Sequence, residues 1–393
     1  MKLDVCSSGR ISVREFRVSI FRFPGLSFPL DPLTHTLTAT AMSHSGLNRK
    51  TRFATLALII GSNLPDIDSI SRLDGSATYL KYHRGITHSL LGVIVLGALL
   101  AAVVYYLGRR AQPKKTGPPV DARWLLVCCL LATGSHLLLD FTNSYGVRPF
   151  LPFSGRWYAW DIMFIIDPLL LTLLALGLGL PWLFRLVSEE VGARKPSYQR
   201  GAIFALSCLI LLWGLRDFAH RRVLSLLDSH TYLQENPRRV GAFPTPVNPF
   251  AWTGVVETDS VFHVLPANAL ADDVDATRTR VFRKEESTPP LEAALNTRTA
   301  KIFLDFARFP WDSVAETEKG YDVTLRDLRF FSSAISTRGF VVDVRLDKQL
   351  HVLSESFSFS GGPERGAGQE GSEEDEGGTS GAGSSDGVLA SRR

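Results

Sequence analysis

Long apolar segments in the N-terminal half of the chain restrict the folds that are open to it. Four of these segments are close in length to the about 20 residues that a helix needs to cross the hydrocarbon core of a bilayer. They lie at residues 86–107, 124–141, 162–184 and 202–218. Because a segment inside a bilayer must satisfy its own backbone polar groups, we expect each to be a transmembrane helix. The sequence therefore predicts a mainly α protein built on a polytopic transmembrane helical bundle.

The rest of the chain has the composition of other kinds of region. Short runs of alternating apolar and polar positions recur after residue 245, which is typical of strands. The last segment is rich in Gly, Ser and Glu and poor in apolar residues, which is typical of disorder. We therefore predict a membrane-embedded domain at residues 30–220, a linker helix at 221–244, a small β-rich α+β C-terminal domain at 245–358 and a disordered acidic Gly/Ser tail at 359–393.

Residues 1–29 form a leader that has no apolar core of the length required of a secretory signal. Charged residues interrupt it, whereas residues 30–35 are typical of the start of a domain. We expect translation of the native protein to begin at Leu30.

The loops between the apolar segments differ in positive charge. Those at residues 48–52, 109–123 and 185–200 hold more Lys and Arg than those at 72–84 and 142–160. Short loops rich in Lys and Arg stay in the cytoplasm. We therefore predict a multi-pass protein of the bacterial inner (cytoplasmic) membrane with an extracytoplasmic C-terminal domain.

A polar cluster lies directly before the first long apolar segment. It contains His83 and His88, with Arg84 between them. Ionisable groups at a membrane boundary are costly unless they have partners. The orientation predicted from the loops places Asp66 and Asp68 at the same face of the membrane as His83 and His88. Two acids with one residue between them can both reach a divalent cation, although a solvated acidic turn would look the same.

Four further residues could complete a site at this face. His136 and Asp140 are four residues apart, so they share one face of a helix and could share one ion, or form an interhelical hydrogen bond. Asp167 precedes Pro168, a pattern that also simply opens a helix. His35, on a short predicted helix, is a weaker candidate because a lone histidine there is usually packed.

These candidates together favour a metal site with hydrolytic chemistry. Histidine and aspartate without cysteine favour zinc, or manganese, over a structural thiolate site, and the number of ligands allows one or two ions. Water activated by such an ion can attack an ester or phosphoester. We predict Asp68 or Asp140 as the general base and Arg84 as the group that orients an anionic substrate. The predicted metal ligands are His35, Asp66, Asp68, His83, His88, His136, Asp140 and Asp167.

Several short motifs in order resemble a known family over about residues 30–180. They are DPLTH at 31–35, GSNLPDID at 61–68, HRGITHS at 83–89, HLLLD at 136–140 and NSYG at 143–146. The set is similar to the YdjM-like membrane-bound metal-dependent hydrolases, also described as LexA-binding inner-membrane-associated hydrolases. The resemblance implies that the predicted ligands up to Asp140 belong to the site, and it lends some weight to Asp167. LexA binding is not carried over, because no surface here is typical of a repressor contact.

The functional expectation follows from the site and its location. We expect hydrolysis of an ester or phosphoester, for example of a lipid or cell-envelope precursor, with membrane lipids and an amphiphilic substrate as partners. The formal net charge of +4 and the lack of a dense basic patch argue against nucleic acid. The alternative is a non-catalytic scaffold that the metal stabilises and whose C-terminal domain binds an envelope partner. A transporter is less favoured, because the polar residues gather at one face.

Overall fold

A computed structural model describes residues 31–111, 117–191, 197–331 and 340–359. The predicted leader lies outside the described residues, as does the predicted tail apart from Phe359.

The N-terminal part is helical, as its apolar segments predict. Its α-helices are α1 (Asp31–His44), α2 (Ala54–Gly61), α3 (Ser76–Tyr82), α4 (Leu90–Arg110), α5 (Ala122–Thr142), α6 (Pro168–Val191) and α7 (Tyr198–Ser229). Short 3₁₀ helices cover Leu47–Arg49 and Ile86–His88, and a longer one, the acidic 3₁₀ helix, covers Leu64–Asp74. Within the described residues, four helices are long and apolar enough to cross a membrane by length and composition, namely α4, α5, residues Pro168–Arg185 of α6, and α7.

Small residues bring the long helices close together. Gly97 of α4 lies against α5, where a Cβ would meet the Thr133 hydroxyl at 3.0 Å. Gly177 of α6 faces α7, where a Cβ would lie 2.5 Å from the Cβ of Ala205. Close backbone approach through small residues is a usual way for helices to associate in lipid. The helices pack as α4 with α5 and α6 with α7, and α1 and α2 fill the space between these pairs.

Two helix boundaries differ from the prediction. The third long helix begins at Pro168 instead of about residue 162, because residues 160–163 are not helical and bond to the end of α5, with Ile162 N–H donating to the Thr142 carbonyl at 2.9 Å. The predicted break between a fourth span and a linker helix is absent from the described residues, where α7 is one helix of 32 residues. Ala219, Val223 and Leu227 follow at spacings of four residues and give its last turns a buried stripe.

The first sheet packs on that stripe. It is antiparallel in the order β1 (Arg239–Pro244), β2 (Ala251–Glu257), β3 (Val261–Asn268) and β4 (Arg280–Arg283). Trp252 and Val256 from β2 and Leu265 from β3 share a core with the end of α7. The sheet therefore begins before the predicted domain start at residue 245.

The second sheet is also antiparallel, in the order β5 (Pro310–Thr317), β6 (Gly320–Asp327), β7 (Val341–Asp347) and β8 (Val352–Ser358). Two helices, α8 (Pro289–Leu295) and α9 (Arg298–Phe306), pack against it. The prediction of a β-rich α+β C-terminal region is confirmed.

The second sheet joins the helical part through a common core. Phe303 and Phe306 of α9 and Phe340 pack in one buried cluster with Leu80 of α3 and Tyr145. The C-terminal region is thus anchored on the loop that follows α5.

Candidate metal centre

Three chain segments meet at one end of the helices and carry four of the predicted ligands. The end of α5 provides His136 and Asp140, and the acidic 3₁₀ helix provides Asp66. The Ile86–His88 turn provides His88. Ser89 accepts a hydrogen bond from Gly92 N–H and caps α4.

Four side-chain atoms converge on one point. The Nε2 atom of His88 lies 2.9 Å from that of His136, 3.5 Å from Asp66 Oδ1 and 3.3 Å from Asp140 Oδ2. His136 Nε2 lies 3.6 Å from Asp66 Oδ1 and 3.4 Å from Asp140 Oδ2. Bonds of about 2.0–2.2 Å to zinc in a tetrahedral site place donor atoms about 3.3–3.6 Å apart. Four of these five separations fit that arrangement, the two histidine nitrogens lie closer together, and the group could hold a metal ion.

The backbone orients one of the two central imidazoles. His136 Nδ1 lies 2.7 Å from the Ser62 carbonyl, which can only accept a hydrogen bond, so Nδ1 carries the proton. The Nε2 atom of His136 is then unprotonated, and its lone electron pair points at the cluster. A histidine ligand whose other nitrogen donates to a carbonyl is the usual arrangement at metal sites.

A carboxylate orients the other imidazole. His88 Nδ1 lies 3.1 Å from Asp68 Oδ2, which leaves Nε2 for the cluster. The same oxygen accepts hydrogen bonds from the Thr87 hydroxyl at 2.7 Å and from Arg84 N–H at 3.0 Å. Asp68 Oδ1 lies 2.9 Å from His83 Nδ1. Asp68 therefore fixes both predicted histidines of the polar cluster.

A second group of donors adjoins the first. Asp66, Asp68 and His83 also lie close enough together to hold an ion. His83 is held by stacking on Tyr79, with ring centroids 4.4 Å apart. The two groups share Asp66, which is compatible with one ion or with two.

Arg84 is buried beside the cluster with its guanidinium on Asp140. Its Nη2 lies 2.9 Å from Asp140 Oδ1, and Nη1 donates to Asn143 Oδ1 at 2.9 Å. Its φ of 54° is in the left-handed region, which directs its backbone N–H at Asp68 and its side chain at Asp140. The ring of Tyr145 lies under the guanidinium, 4.8 Å away. Arg84 is only 2% exposed, and its role in orienting substrate stays a prediction.

The last two predicted ligands lie at the edge of the cluster or outside it. His35 stacks on His136, with centroids 3.9 Å apart, and its Nε2 is 3.5 Å from Asp140 Oδ1. Asp167 accepts hydrogen bonds from the first N–H groups of α6 and from Arg216 Nη2 at 2.7 Å. A cavity of about 20 Å³, room for about one water, lies between His35 and Asp167. Ligand roles for both residues stay predictions.

The charges of the cluster shift the pKa values of its groups outside the helical spans. Burial alone would raise the pKa of Asp66 and Asp68, but hydrogen bonds from His88 to both, and from His83 to Asp68, hold each pKa below its ordinary value. Burial would lower the pKa of His88, but Asp140, Asp66 and Asp68 raise it well above its ordinary value. Burial raises the pKa of Tyr79 to about 12. The cluster thus favours a positive charge at its centre, which a metal cation would supply in place of a proton.

Sequence reasoning assigned no role to several residues that shape the site. Asn143 and Tyr145 hold Arg84 and lie in a motif of the family resemblance, but no chemical pattern marked them. Arg216, which lies within α7, pairs with Asp167. Its position as an ionisable residue within a predicted span was a signal that could have identified Arg216.

Comparison with known proteins agrees with this architecture. Residues 30–222, which hold every residue of the cluster, match the YdjM inner membrane protein family. The resemblance to the YdjM family that the motifs predicted is confirmed, whereas metal-dependent hydrolysis stays a prediction. Residues 289–361, which include α8, α9 and the second sheet, match the YfhP C-terminal alpha/beta plait domain.

One relative is Bacillus subtilis (strain 168) YfhP, a protein described as uncharacterized, which is 33% identical over 139 residues. That match covers 35% of this chain and 37% of YfhP, little more than a third of either protein. No solved structure matches the chain.

Proposed function

We propose that this protein is a metal-dependent hydrolase embedded in the bacterial inner membrane. The convergence of His88, His136, Asp66 and Asp140 at separations typical of a metal site carries the proposal. When bound, a divalent cation, with zinc first and manganese second, supplies Lewis acidity and lowers the pKa of water in the site. The proposed substrate is an ester or phosphoester.

The residues around the four donors have separate proposed roles. His88 and His136 hold the cation through nitrogens that Asp68 and the Ser62 carbonyl keep unprotonated. Arg84 balances the charge of Asp140 and fixes its position. Asp68 is the proposed proton acceptor when one ion binds, because it lies outside the group of four, whereas with two ions it would be a ligand.

Access to the cluster runs past Asp66. Its side chain is 21% exposed, against 1% for that of Asp140 and 0% for those of both histidines. Substrate and water would therefore approach from the acidic 3₁₀ helix.

The alternative function is a metal-stabilised scaffold without catalysis. Two observations favour it. Four protein donors would fill a tetrahedral site, whereas catalytic zinc sites keep one position open. The second sheet also packs on the loop beside the cluster, so a metal there could hold the two parts of the chain together.

We further propose that the protein is multi-pass with an extracytoplasmic C-terminal region and has membrane lipids as its immediate partners. The charge difference between the loops supports this orientation.

Metal content and hydrolysis, measured on the same samples, distinguish the two functions. The full chain is purified in detergent as wild type, His88→Ala and Asp140→Asn, with the exposed His351→Ala as control, and its metal is measured by elemental analysis. We expect about one or two equivalents in wild type and control and a loss in both site variants.

Each sample is then tested for hydrolysis of p-nitrophenyl esters and phosphoesters. Activity that disappears with the metal while the helical content stays unchanged supports the hydrolase. Metal without activity, together with unfolding of the site variants, supports the scaffold. Wild type without metal after reconstitution would overturn both.

A further inference from the structure

The acidic 3₁₀ helix has an apolar outer edge. A 3₁₀ helix has 3.0 residues per turn, so residues three apart lie in line along it. Ile67, Ile70 and Leu73 follow at that spacing, and we call them the aliphatic ridge. Their exposed fractions are 58%, 67% and 85%. Three adjacent large aliphatic side chains facing outward mark a contact surface more than an ordinary water-facing one.

The other edges of the same helix serve the metal centre. Asp66 belongs to the group of four donors, and Asp68 orients His88 and His83. The helix thus turns its carboxylates to the cluster and its aliphatic side chains outward. The ridge begins beside the cluster, because Ile67 lies between Asp66 and Asp68 in the chain.

The ridge adjoins a surface that faces lipid. The acidic 3₁₀ helix packs against the Ile86–His88 turn and the start of α4, a candidate membrane span. The exposed side chains of Ile86 and Leu90 continue the apolar surface onto α4, where Ile94 is also exposed. The exposed apolar side chains of the span and the acidic 3₁₀ helix therefore lie on neighbouring elements at the start of α4.

A second exposed apolar group flanks the start of α4. The Leu90 N–H donates to the Pro149 carbonyl at 2.9 Å, which places the following turn beside the helix. Phe153 in that turn is 90% exposed. Exposed aromatic and aliphatic residues on both sides of a helix end are typical of a membrane interface.

Two basic side chains lie near the ridge, an arrangement typical of residues at lipid headgroups. Arg72, within the ridge helix, is exposed, and its guanidinium lies 4.5 Å from the centre of the Tyr79 ring. Lys81 is also exposed, with its ammonium 5.2 Å from the centre of the Tyr82 ring. Basic groups above an apolar edge bind lipid phosphates while the apolar side chains enter the acyl region.

We propose that the aliphatic ridge inserts into the lipid leaflet at the site's face of the membrane, and that the centre takes an amphiphile whose cleavable bond lies at headgroup depth. The bilayer is the occupant that fits, because the ridge continues the lipid-facing surface of α4. The substrate assignment rests on the proposed function, whereas the insertion of the ridge does not.

Spin-label accessibility in vesicles tests the insertion. The full chain with its four cysteines replaced by alanine carries one new cysteine, Ile70→Cys or Leu73→Cys, with a nitroxide attached. Retained metal content and elution volume verify its fold. The protein is placed in phosphatidylcholine vesicles, and nitroxide collisions with oxygen and with a water-soluble nickel complex are compared. Ile94→Cys on α4 and Leu270→Cys beyond β3, with native exposures of 57% and 68%, are the lipid and water controls.

We expect labels on the ridge to have a collision ratio like that of the label at Ile94→Cys, with oxygen collisions exceeding collisions with the nickel complex. A ratio like that of Leu270→Cys would place the ridge in water and overturn the proposal. Labels shielded from both oxygen and the nickel complex would show that protein covers the ridge, which would also overturn the proposal. Spin–spin broadening that disappears on dilution with unlabelled protein would then identify a second copy as that cover.

Hydrolysis tests the substrate class separately. Ile70→Asn with Leu73→Asn replaces two of the three ridge residues and leaves all metal ligands in place. We expect at least about a tenfold lower rate on a vesicle-embedded phosphoester and an unchanged rate on a short soluble one, since the lost apolar contact acts only on lipid association. An equal loss on both substrates would overturn the assignment. Absence of hydrolysis in wild type would contradict the proposed function and leave the insertion result standing.

Discussion

At the residue scale, two carboxylates of the candidate centre divide their oxygens between different tasks. Asp140 presents Oδ1 to Arg84 and Oδ2 to the imidazoles of His88 and His136. Asp68 presents one oxygen to His83 and the other to His88. Substitutions at these two positions should therefore have different consequences.

Asp68→Asn tests the orienting role. The four converging donors remain, but the amide is a weaker partner for the Nδ1–H of His88, so we expect metal affinity to fall about 10–100-fold with little loss of stability. Competition with a chromogenic chelator measures the affinity. Asp343→Asn, which alters an exposed carboxylate bonded to Thr324, is the control. Unchanged affinity in Asp68→Asn would contradict the role.

The sequence allowed the main residues of the centre to be identified because each is ionisable and lies at the edge of an apolar segment. His88, His136 and Asp140 stood out in this way. Asn143 and Tyr145 did not, because a neutral amide and a phenol are ordinary in a loop. Their function depends on Arg84 reaching across from a distant segment, which no local pattern encodes.

At the element scale, hydropathy predicted the long apolar helices, whereas contacts between elements determined where these helices begin and end. The apolar residues before Pro168 looked helical, but their backbone pairs with the end of α5. The acidic 3₁₀ helix was not predicted, because its period of three becomes visible only when the exposed and buried edges are known.

The contact between α6 and α7 provides a matched pair of glycines. A Cβ at Gly177 would lie 2.5 Å from the Cβ of Ala205, whereas nothing lies within 4 Å of a Cβ at Gly179. We expect Gly177→Ala to destabilise the protein by about 1–3 kcal/mol through overpacking. Gly179→Ala should change stability by less than about 1 kcal/mol. Thermal unfolding in detergent measures both, and equal midpoints would contradict the packing of these helices.

At the scale of the whole molecule, a buried arginine connects the second sheet to the metal centre. Arg329 donates to the carbonyls of Ser144 and Phe306 and pairs with Asp327. Ser144 follows Asn143, which holds Arg84 on Asp140. Sequence analysis could not predict this docking, because composition identifies a separate domain but not the surface on which it rests.

Arg329→Met tests the connection. We expect amide exchange at residues 143–147 to become about tenfold faster or more, because a charge-assisted hydrogen bond to that loop is lost. Hydrogen exchange with mass spectrometry measures it, with Arg345→Met, at a partly exposed ion pair of the same sheet, as control. Faster exchange in β6 and β7 as well would indicate unfolding of the sheet, and unchanged exchange in the loop would contradict the connection.

The continuous α7 helix has a consequence for how far the protein reaches from the membrane. Its 32 residues extend about 48 Å at about 1.5 Å per residue, well beyond the about 30 Å of hydrocarbon. The first sheet is fastened to the protruding turns, so a tilt of this rod within the bilayer swings the sheet with it. If α7 crosses the bilayer, the length of this one helix therefore sets the distance between the first sheet and the lipid.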